Sequence, residues 1–185
     1  MGCPPQPPER EPAWASRAAA KLLAALETFQ IDVTGLTCAD FGCHAGGFTD
    51  CLLRHGAARV YALDTAYGVL EWRLRQDPRV VVMERTNVLH AEPPEPVDLV
   101  TIDAGWTRQR HVIPAALRWL APGGRIISLV KPHYELEADE KRNLLRDGVL
   151  EPAVAERVAN RVIDAMAGLG ARVRSEEHTS ELQSQ

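Results

Sequence analysis

The stretch that most limits what this chain can fold into runs from residue 37 to residue 64. Thr37–Phe41 (TCADF) reads as a short buried strand, Gly42, Gly46 and Gly47 as a tight glycine loop, and Phe48–His55 as a helix that starts at once. Ala58–Leu63 reads as a second strand, ending on Asp64. A strand, a glycine turn, a helix N-terminus and an acid about twenty residues further on is how an open α/β sheet holds a nucleotide-like ligand. Glycine lets the backbone approach such a ligand closely, and a carboxylate at the tip of the second strand can accept both hydroxyls of a ribose. Cys43 stands where a dinucleotide fold places its second glycine, and a pyrophosphate has no obvious basic partner nearby. The pattern therefore favours S-adenosylmethionine (SAM), whose adenosine needs the acid and which carries no phosphate. On spacing alone, a nicotinamide or flavin dinucleotide and a ligand-free structural turn stay open.

The rest of the chain keeps the same alternation. Ser16 is an N-cap candidate for a helix through about Phe29, with Leu22, Leu23, Leu26 and Phe29 as its apolar stripe and Lys21 at the stripe's edge. After the glycine loop the pattern predicts a helix over 46–55, a strand over 58–63, a short helix near 68–75 and a strand over 79–83. Val97–Asp103 (VDLVTID) is a near-continuous apolar run that suits a strand buried on both faces of a parallel sheet. A helix over roughly 109–120 follows, with Pro114 tolerated only in its first turn. Ala121-Pro-Gly-Gly124 ends that helix, and Arg125–Val130 is another apolar strand. Residues 133–150 are charged and less regular, with a short helix near 137–146. Pro152 opens a last helix to about Gly168 with Val154, Val158, Val162 and Met166 on its inner face, and Ala171–Arg174 would begin a further strand. The prediction is an α/β protein with a doubly wound, mostly parallel, Rossmann-like sheet.

At 185 residues the chain suits one domain with a proper core, and 45% hydrophobic with 25% charged residues is ordinary for a soluble globular protein. Residues 1–14 form a proline-rich leader without the apolar core of a signal peptide, and no apolar run approaches bilayer length. Cys3, Cys38, Cys43 and Cys51 contain no Cys-x-x-Cys pair, and the histidines show no metal-ligand spacing. Reduced thiols, a cytoplasmic location, no metal and no membrane partner are the resulting expectations. Arg174–Ser184 (RSEEHTSELQS) resembles the translation of a sequencing adapter, so residues 175–185 are set aside from fold reasoning and the domain is taken as 15–174, cut short at its C-terminal strands. The net charge is −4, and the set-aside tail supplies three glutamates and no lysine or arginine, leaving about −1.

Two polar residues end central strands at the edge where open α/β sheets bind ligands: Asp103 after Val-Thr-Ile, and Lys131 after Ile-Ile-Ser-Leu-Val. A lysine there is costly to bury unless paired, and Asp103 on the neighbouring strand is its natural partner, with Glu135 just beyond. A purely structural ion pair is the alternative on spacing alone.

Several segments carry a family resemblance. SRAAAKL (16–22), ADFGCHAGGFTDCLL (39–53), GAARVYALD (56–64), LRQDPRV (74–80), ERTN (84–87), DLVTID (98–103) and LVKPHYE (129–135) resemble the TlyA-type ribosomal RNA methyltransferases, proteins also named haemolysins and grouped with the FtsJ-like ribose methyltransferases. The match runs from about Ser16 to Ala171. It implies a SAM-dependent fold whose sheet normally has seven strands, and a Lys-Asp-Lys-Glu set that falls on Lys21, Asp103, Lys131 and Glu135. A ribose 2′-hydroxyl is a poor nucleophile until deprotonated. A lysine is mostly charged at pH 7, but a second cation and partial burial favour its neutral amine. On this reading Lys131 takes the hydroxyl proton while the oxygen attacks the SAM methyl in line. Asp103 orients Lys131, Lys21 steadies the developing oxyanion and Glu135 positions the pair. Asp64 would hold the SAM ribose, Asp40, Gly42, Gly46, Gly47 and the amides around Phe48 its methionine half, Asn87 would lie near the adenine, and Asp103 would border the cofactor.

Members of that family usually begin with a small RNA-binding domain, where this chain has its proline-rich leader. Ala19 and Ala20 stand where glycines usually precede the lysine, Ala-Gly-Trp-Thr-Arg-Gln-Arg110 departs from the usual Val-Ser-Phe-Ile-Ser type, and the loop after Glu135 lacks the usual glycines. These surfaces choose the RNA target. Arg73, Arg75, Arg79, Arg85, Arg108 and Arg110 are candidates for a local basic patch toward ribosomal RNA or a ribosomal subunit. The competing reading is a SAM- or RNA-binding protein, or a haemolysin-like one, that keeps the fold without the catalysis.

Overall fold

A computed structural model of the protein describes residues 13–145 and 149–169. Five strands, β1 (Thr37–Phe41), β2 (Arg59–Leu63), β3 (Val80–Met83), β4 (Val97–Ile102) and β5 (Leu120–Ser128), form one sheet in the order β3-β2-β1-β4-β5. Every pairing is parallel. The α/β class and the parallel sheet are as the alternation predicts, with five strands among the described residues where the resemblance implies seven.

Both faces of the sheet are covered, and the strands show why. Cys38, Val60, Ala62 and Leu99 point to one face, where they meet Leu22 and Leu26 of α1 (Ala18–Phe29) and Leu52 of α2 (Gly47–Arg54). Ala39, Phe41, Tyr61, Leu63, Val100 and Ile102 point to the other, where they meet Val112 and Ile113 of α4 (Gln109–Leu117) and Val162 and Met166 of α7 (Pro152–Ala167). This period-2 division of uniformly apolar strands makes a sheet doubly wound. Trp119 anchors the second face: it is fully buried, lies edge-on to Phe41 at 5.2 Å, and donates its indole N–H to the Ala91 carbonyl at 3.2 Å. On α7, Val154 and Val158 turn instead into a small cluster with Leu136 and Leu150.

Three local predictions are corrected. The short helix α3 covers only Trp72–Arg75, because the N–H groups of Gly68, Val69 and Leu70 donate to the Glu84 carboxylate rather than starting a helix. Pro114 lies past the first turn of α4, where it removes one intrahelical bond and the helix tolerates the loss. Ala121–Gly124 belongs to β5, which begins at Leu120. The register jumps from Val97 opposite Leu120 to Leu99 opposite Arg125, so the Pro-Gly-Gly run is a bulge rather than a helix terminator. The remaining helices are α5 (Pro132–Glu135) and α6 (Ala138–Leu144), the latter opened by a Glu137–Glu140 capping box. The expectations for the leader through residue 12, for Ala171–Arg174 and for residues 175–185 fall outside the described residues.

Candidate active site

The strand order reverses direction between β1 and β4, so the loops leaving these neighbours diverge and open a crevice between them. A cavity of about 450 Å3 lies there, of a size usual for small-cofactor sites. Gly42, Cys43, His44, Gly47 and Phe48 line it from the glycine loop, Asp64 and Thr65 from the end of β2, Thr86 and Asn87 from the turn after β3, and Asp103–Thr107 and Lys131 from the ends of β4 and β5.

The glycines are set by the protein's own packing as much as by any ligand. A Cβ on Gly42, whose φ is +85°, would stand 2.9 Å from the Ala104 Cα, because the exit of β4 passes directly beside the loop. One on Gly47 would stand 2.2 Å from the Ser16 Oγ, because the segment leading into α1 is seated against the first turn of α2. The N-cap of α1 is Arg17 rather than the predicted Ser16, whose hydroxyl accepts the Ala18 N–H at 3.2 Å from one residue further out. Gly46 faces Leu70 and Leu74 and supports the loop from outside the cavity.

Asp64 is the hinge of the cofactor half. Its Oδ2 accepts the His44 N–H at 2.9 Å and its Oδ1 accepts the Ala66 N–H at 2.8 Å. Each oxygen keeps a further lone pair, so the carboxylate can still receive the two hydroxyls of a ribose. Asn87 uses its Oδ1 to cap the next turn, accepting the Leu89 N–H at 3.0 Å. Among the described residues Lys131 and His44 are the only basic side chains on the cavity wall, and two carboxylates, Asp64 and Asp103, line it. That balance suits a sulfonium cation without a phosphate better than a dinucleotide. The residues present therefore fit SAM.

At the other end, Lys131 and Asp103 meet. The Lys131 Nζ lies 2.5 Å from the Asp103 Oδ1 as an ion pair, off the axis of an aligned hydrogen bond, and donates to the Asp103 carbonyl at 3.2 Å. Both side chains are about one-fifth to one-quarter exposed, open to the cavity. Trp106, 84% exposed with a left-handed φ of 62°, stands at the mouth and packs at 5.0 Å from Tyr134, whose ring lies 5.9 Å from the Lys131 Nζ. Neither ring was singled out from the sequence, although the Ala-Gly-Trp departure after Asp103 marked the place.

Besides Gly46, three residues expected at the site stand elsewhere. Asp40 is fully buried beneath the cavity, tying β1 to α2 and β4: the Thr49 hydroxyl donates to it at 2.7 Å and the Thr101 hydroxyl at 3.2 Å. Burial pushes its carboxyl up to about 7, against the lowering effect of the two hydroxyls. Glu135 is buried and turned away from the Lys131–Asp103 pair. It accepts the Gln109 N–H at 2.9 Å at the start of α4, and the Gln109 side chain in turn donates to the Leu129 carbonyl at 3.3 Å. Lys21 is exposed on α1, one turn after the cavity-lining Ala18, and is not itself part of the wall. Among the described residues no group of His, Cys, Asp or Glu side chains converges as metal ligands would, and no helix is long and apolar enough to cross a membrane.

Comparison with known proteins agrees with this geometry. The chain is 47% identical over 131 residues to the 16S/23S rRNA (cytidine-2′-O)-methyltransferase TlyA of Mycobacterium tuberculosis, which covers 69% of the chain and 49% of that protein. It is 39% identical over 163 residues to YqxC of Bacillus subtilis, described as a candidate rRNA methyltransferase, covering 85% of the chain and 57% of the relative. The chain thus spans about half the length of these relatives. Among solved structures, a candidate hemolysin from Streptococcus thermophilus superposes with a TM-score of 0.81 at 32% identity, over 90% of this chain and 61% of that one. The profile of the FtsJ-like methyltransferases matches residues 14–175, and the chain belongs to that family.

Proposed function

We propose that the chain carries the catalytic unit of a SAM-dependent methyltransferase acting on the 2′-hydroxyl of a ribose in ribosomal RNA, in the cytoplasm. The observation that carries the reading is the Lys131–Asp103 pair, open to the mouth of a cavity whose far end presents the Asp64 carboxylate. The relatives named for cytidine-2′-O methylation of ribosomal RNA support the substrate class. When bound, SAM supplies an electrophilic methyl group.

The chain's own residues would do the rest. Asp64 accepts the cofactor's ribose hydroxyls, and the loop over Gly42–Phe48 lines the space for its amino-acid half, with Gly46 and Asp40 supporting that loop from outside the wall. Asn87 borders the adenine end. Asp103 holds the Lys131 amine toward the mouth, where Lys131, once it has given up its own proton, would take the one on an incoming ribose 2′-hydroxyl and leave that oxygen to receive the methyl group. Glu135, through Gln109, holds the Leu129–Lys131 turn in place rather than touching the reacting atoms. Lys21, exposed just beyond the wall, faces the approaching RNA and adds positive charge there. The Trp106 ring offers a face for the base of the target nucleotide once it leaves its stack.

Titration calorimetry and methyl transfer together test this. The unaltered chain binds SAM, and Asp64→Ala weakens that binding by roughly 10-fold or more, the loss expected for a charged hydrogen-bonding partner. Undiminished affinity in the Asp64 variant would contradict the placement of the ribose. SAM binding without transfer to any ribosomal subunit would favour a non-catalytic binding protein, a reading to which the turned-away Glu135 lends its one observation.

A further inference from the structure

The six arginines that stand out in the sequence do not form one patch, because five of them are already neutralised. Arg73 meets Asp50 at 2.6 Å, Arg79 meets Asp77 at 2.7 Å and Arg110 meets Glu137 at 3.0 Å, while Arg75 pairs with Glu84 and Arg108 with Glu137. An arginine whose fork faces a carboxylate makes a poor phosphate ligand, since the carboxylate repels the phosphate and must first be displaced. Arg85 differs. It has no carboxylate partner among the described residues, and it lays its guanidinium over the Tyr67 ring with the Cζ 4.3 Å from the centroid.

This pair is built into the rim of the cavity. Arg85 holds a left-handed φ of 53°, a conformation that a non-glycine residue keeps only when its surroundings impose it. Here they do: the Arg85 N–H donates to the Ala66 carbonyl at 3.1 Å, and the Thr86 N–H donates to the Asp64 carbonyl at 2.9 Å. The Glu84 carboxylate grips the Gly68 N–H at 2.9 Å from the other side. The turn after β2 and the turn after β3 are therefore laced together, and Arg85 and Tyr67 project from that lacing. Thr65 and Thr86, their near neighbours, line the cavity at the Asp64–Asn87 end, and Tyr67 is 70% exposed.

We propose that Arg85, stacked on Tyr67, is a phosphate contact for the RNA strand that carries the target nucleotide, on the Asp64–Asn87 side of the cavity. The inference rests on the ribosomal-RNA reading of the site and names a further residue that positions the strand. A guanidinium held over an aromatic ring still has N–H groups free at its edge, and that planar fork matches two phosphate oxygens. The exposed ring beneath is a surface on which an unstacked base can lie, so charge and stacking act on the same single-stranded segment.

The test is equilibrium binding of isolated ribosomal subunits across a salt series, with SAM affinity and methyl transfer measured in parallel. Arg85→Ala is expected to weaken RNA binding by roughly 10-fold and to lower the slope of log affinity against log salt by about one, with SAM affinity unchanged. Tyr67→Phe retains the ring and the binding, whereas Tyr67→Ala loses part of both binding and slope. Equal binding and equal slope in Arg85→Ala, a joint loss of SAM affinity, or no RNA binding by the unaltered chain would each overturn the proposal. Arg85-dependent RNA binding without methyl transfer would uphold it while sinking the catalytic reading. Methyl transfer indifferent to Arg85 would do the reverse.

Discussion

Lys131 reaches Asp103 because β4 and β5 are neighbours in register. Ile102 lies opposite Ser128, and the Leu129 N–H donates to the Ile102 carbonyl at 2.9 Å, which delivers both side chains to one edge. Lys131→Ala should lower methyl transfer by about 10²–10⁴-fold, the usual worth of a general base, and leave SAM affinity within a few-fold. Lys131→Arg should not rescue it, since a guanidinium keeps its charge but cannot take up a proton. Retained activity in either variant would remove Lys131 from the chemistry. Asp40 gives a second test at this scale. Its folded carboxyl titrates near 7 because burial disfavours the charge, well above an unfolded aspartate. The folded state therefore binds the proton that the unfolded state has lost between about pH 4 and 7, and this contribution to stability fades as pH rises through that window. Asp40→Asn, which cannot ionise, should gain on the natural chain between pH 5 and pH 8 in paired urea titrations; a constant difference would contradict this. Asp40 and Glu135 also show where sequence reading stops. Type and position mark a carboxylate as polar and near the site, but whether it turns to the cavity, to two threonines or to a helix start is decided by side-chain packing that has no pattern along the chain.

At the scale of elements, the unit from β1 to β2 was legible almost residue for residue, because a buried strand, a glycine loop and a helix start each have their own local chemistry. The limits of α3 and β5 were not, and for a tertiary reason: Glu84, distant in sequence, captures the amides of 68–70, and a parallel partner, Val97–Ile102, draws Leu120–Gly124 into the sheet despite Pro and Gly. The same reasoning predicts the effect of closing the seat between α1 and α2. Gly47→Ala would set a methyl 2.2 Å from the Ser16 Oγ and 3.0 Å from the Ala19 backbone nitrogen. The segment carrying Ser16 and Ala18 must then move off the cavity wall, at a cost of about 1–3 kcal/mol in stability, with weakened SAM binding. Urea unfolding and SAM titration check it, and unchanged values in both would mean that this segment is not fixed by α2. Asp50 reinforces the seat, accepting the Ala15 N–H at 2.9 Å and an Arg73 bond at 2.6 Å; burial opposes its charge, but these partners hold its carboxyl below the usual range.

For the molecule as a whole, a net charge of −4 gives no general attraction for RNA, so the proposed RNA contacts would have to be local. The strand order creates one crevice, and that crevice collects Asp64, Asn87, Asp103 and Lys131 from the ends of four different strands. Sequence periodicity predicts such an assembly only through the rule that ligands bind at the carboxyl ends of an open sheet; it holds no information on which exposed aromatic, Trp106 or Tyr67, the loops leave at the rim. Transfer of a methyl group to a ribose oxygen is read out by alkaline digestion. Ribosomal subunits incubated with methyl-labelled SAM and the chain should yield RNA whose label survives alkali in dinucleotides, because a methylated 2′-oxygen cannot attack the neighbouring phosphate. Label released entirely in mononucleotides would place the methyl on a base and contradict the account.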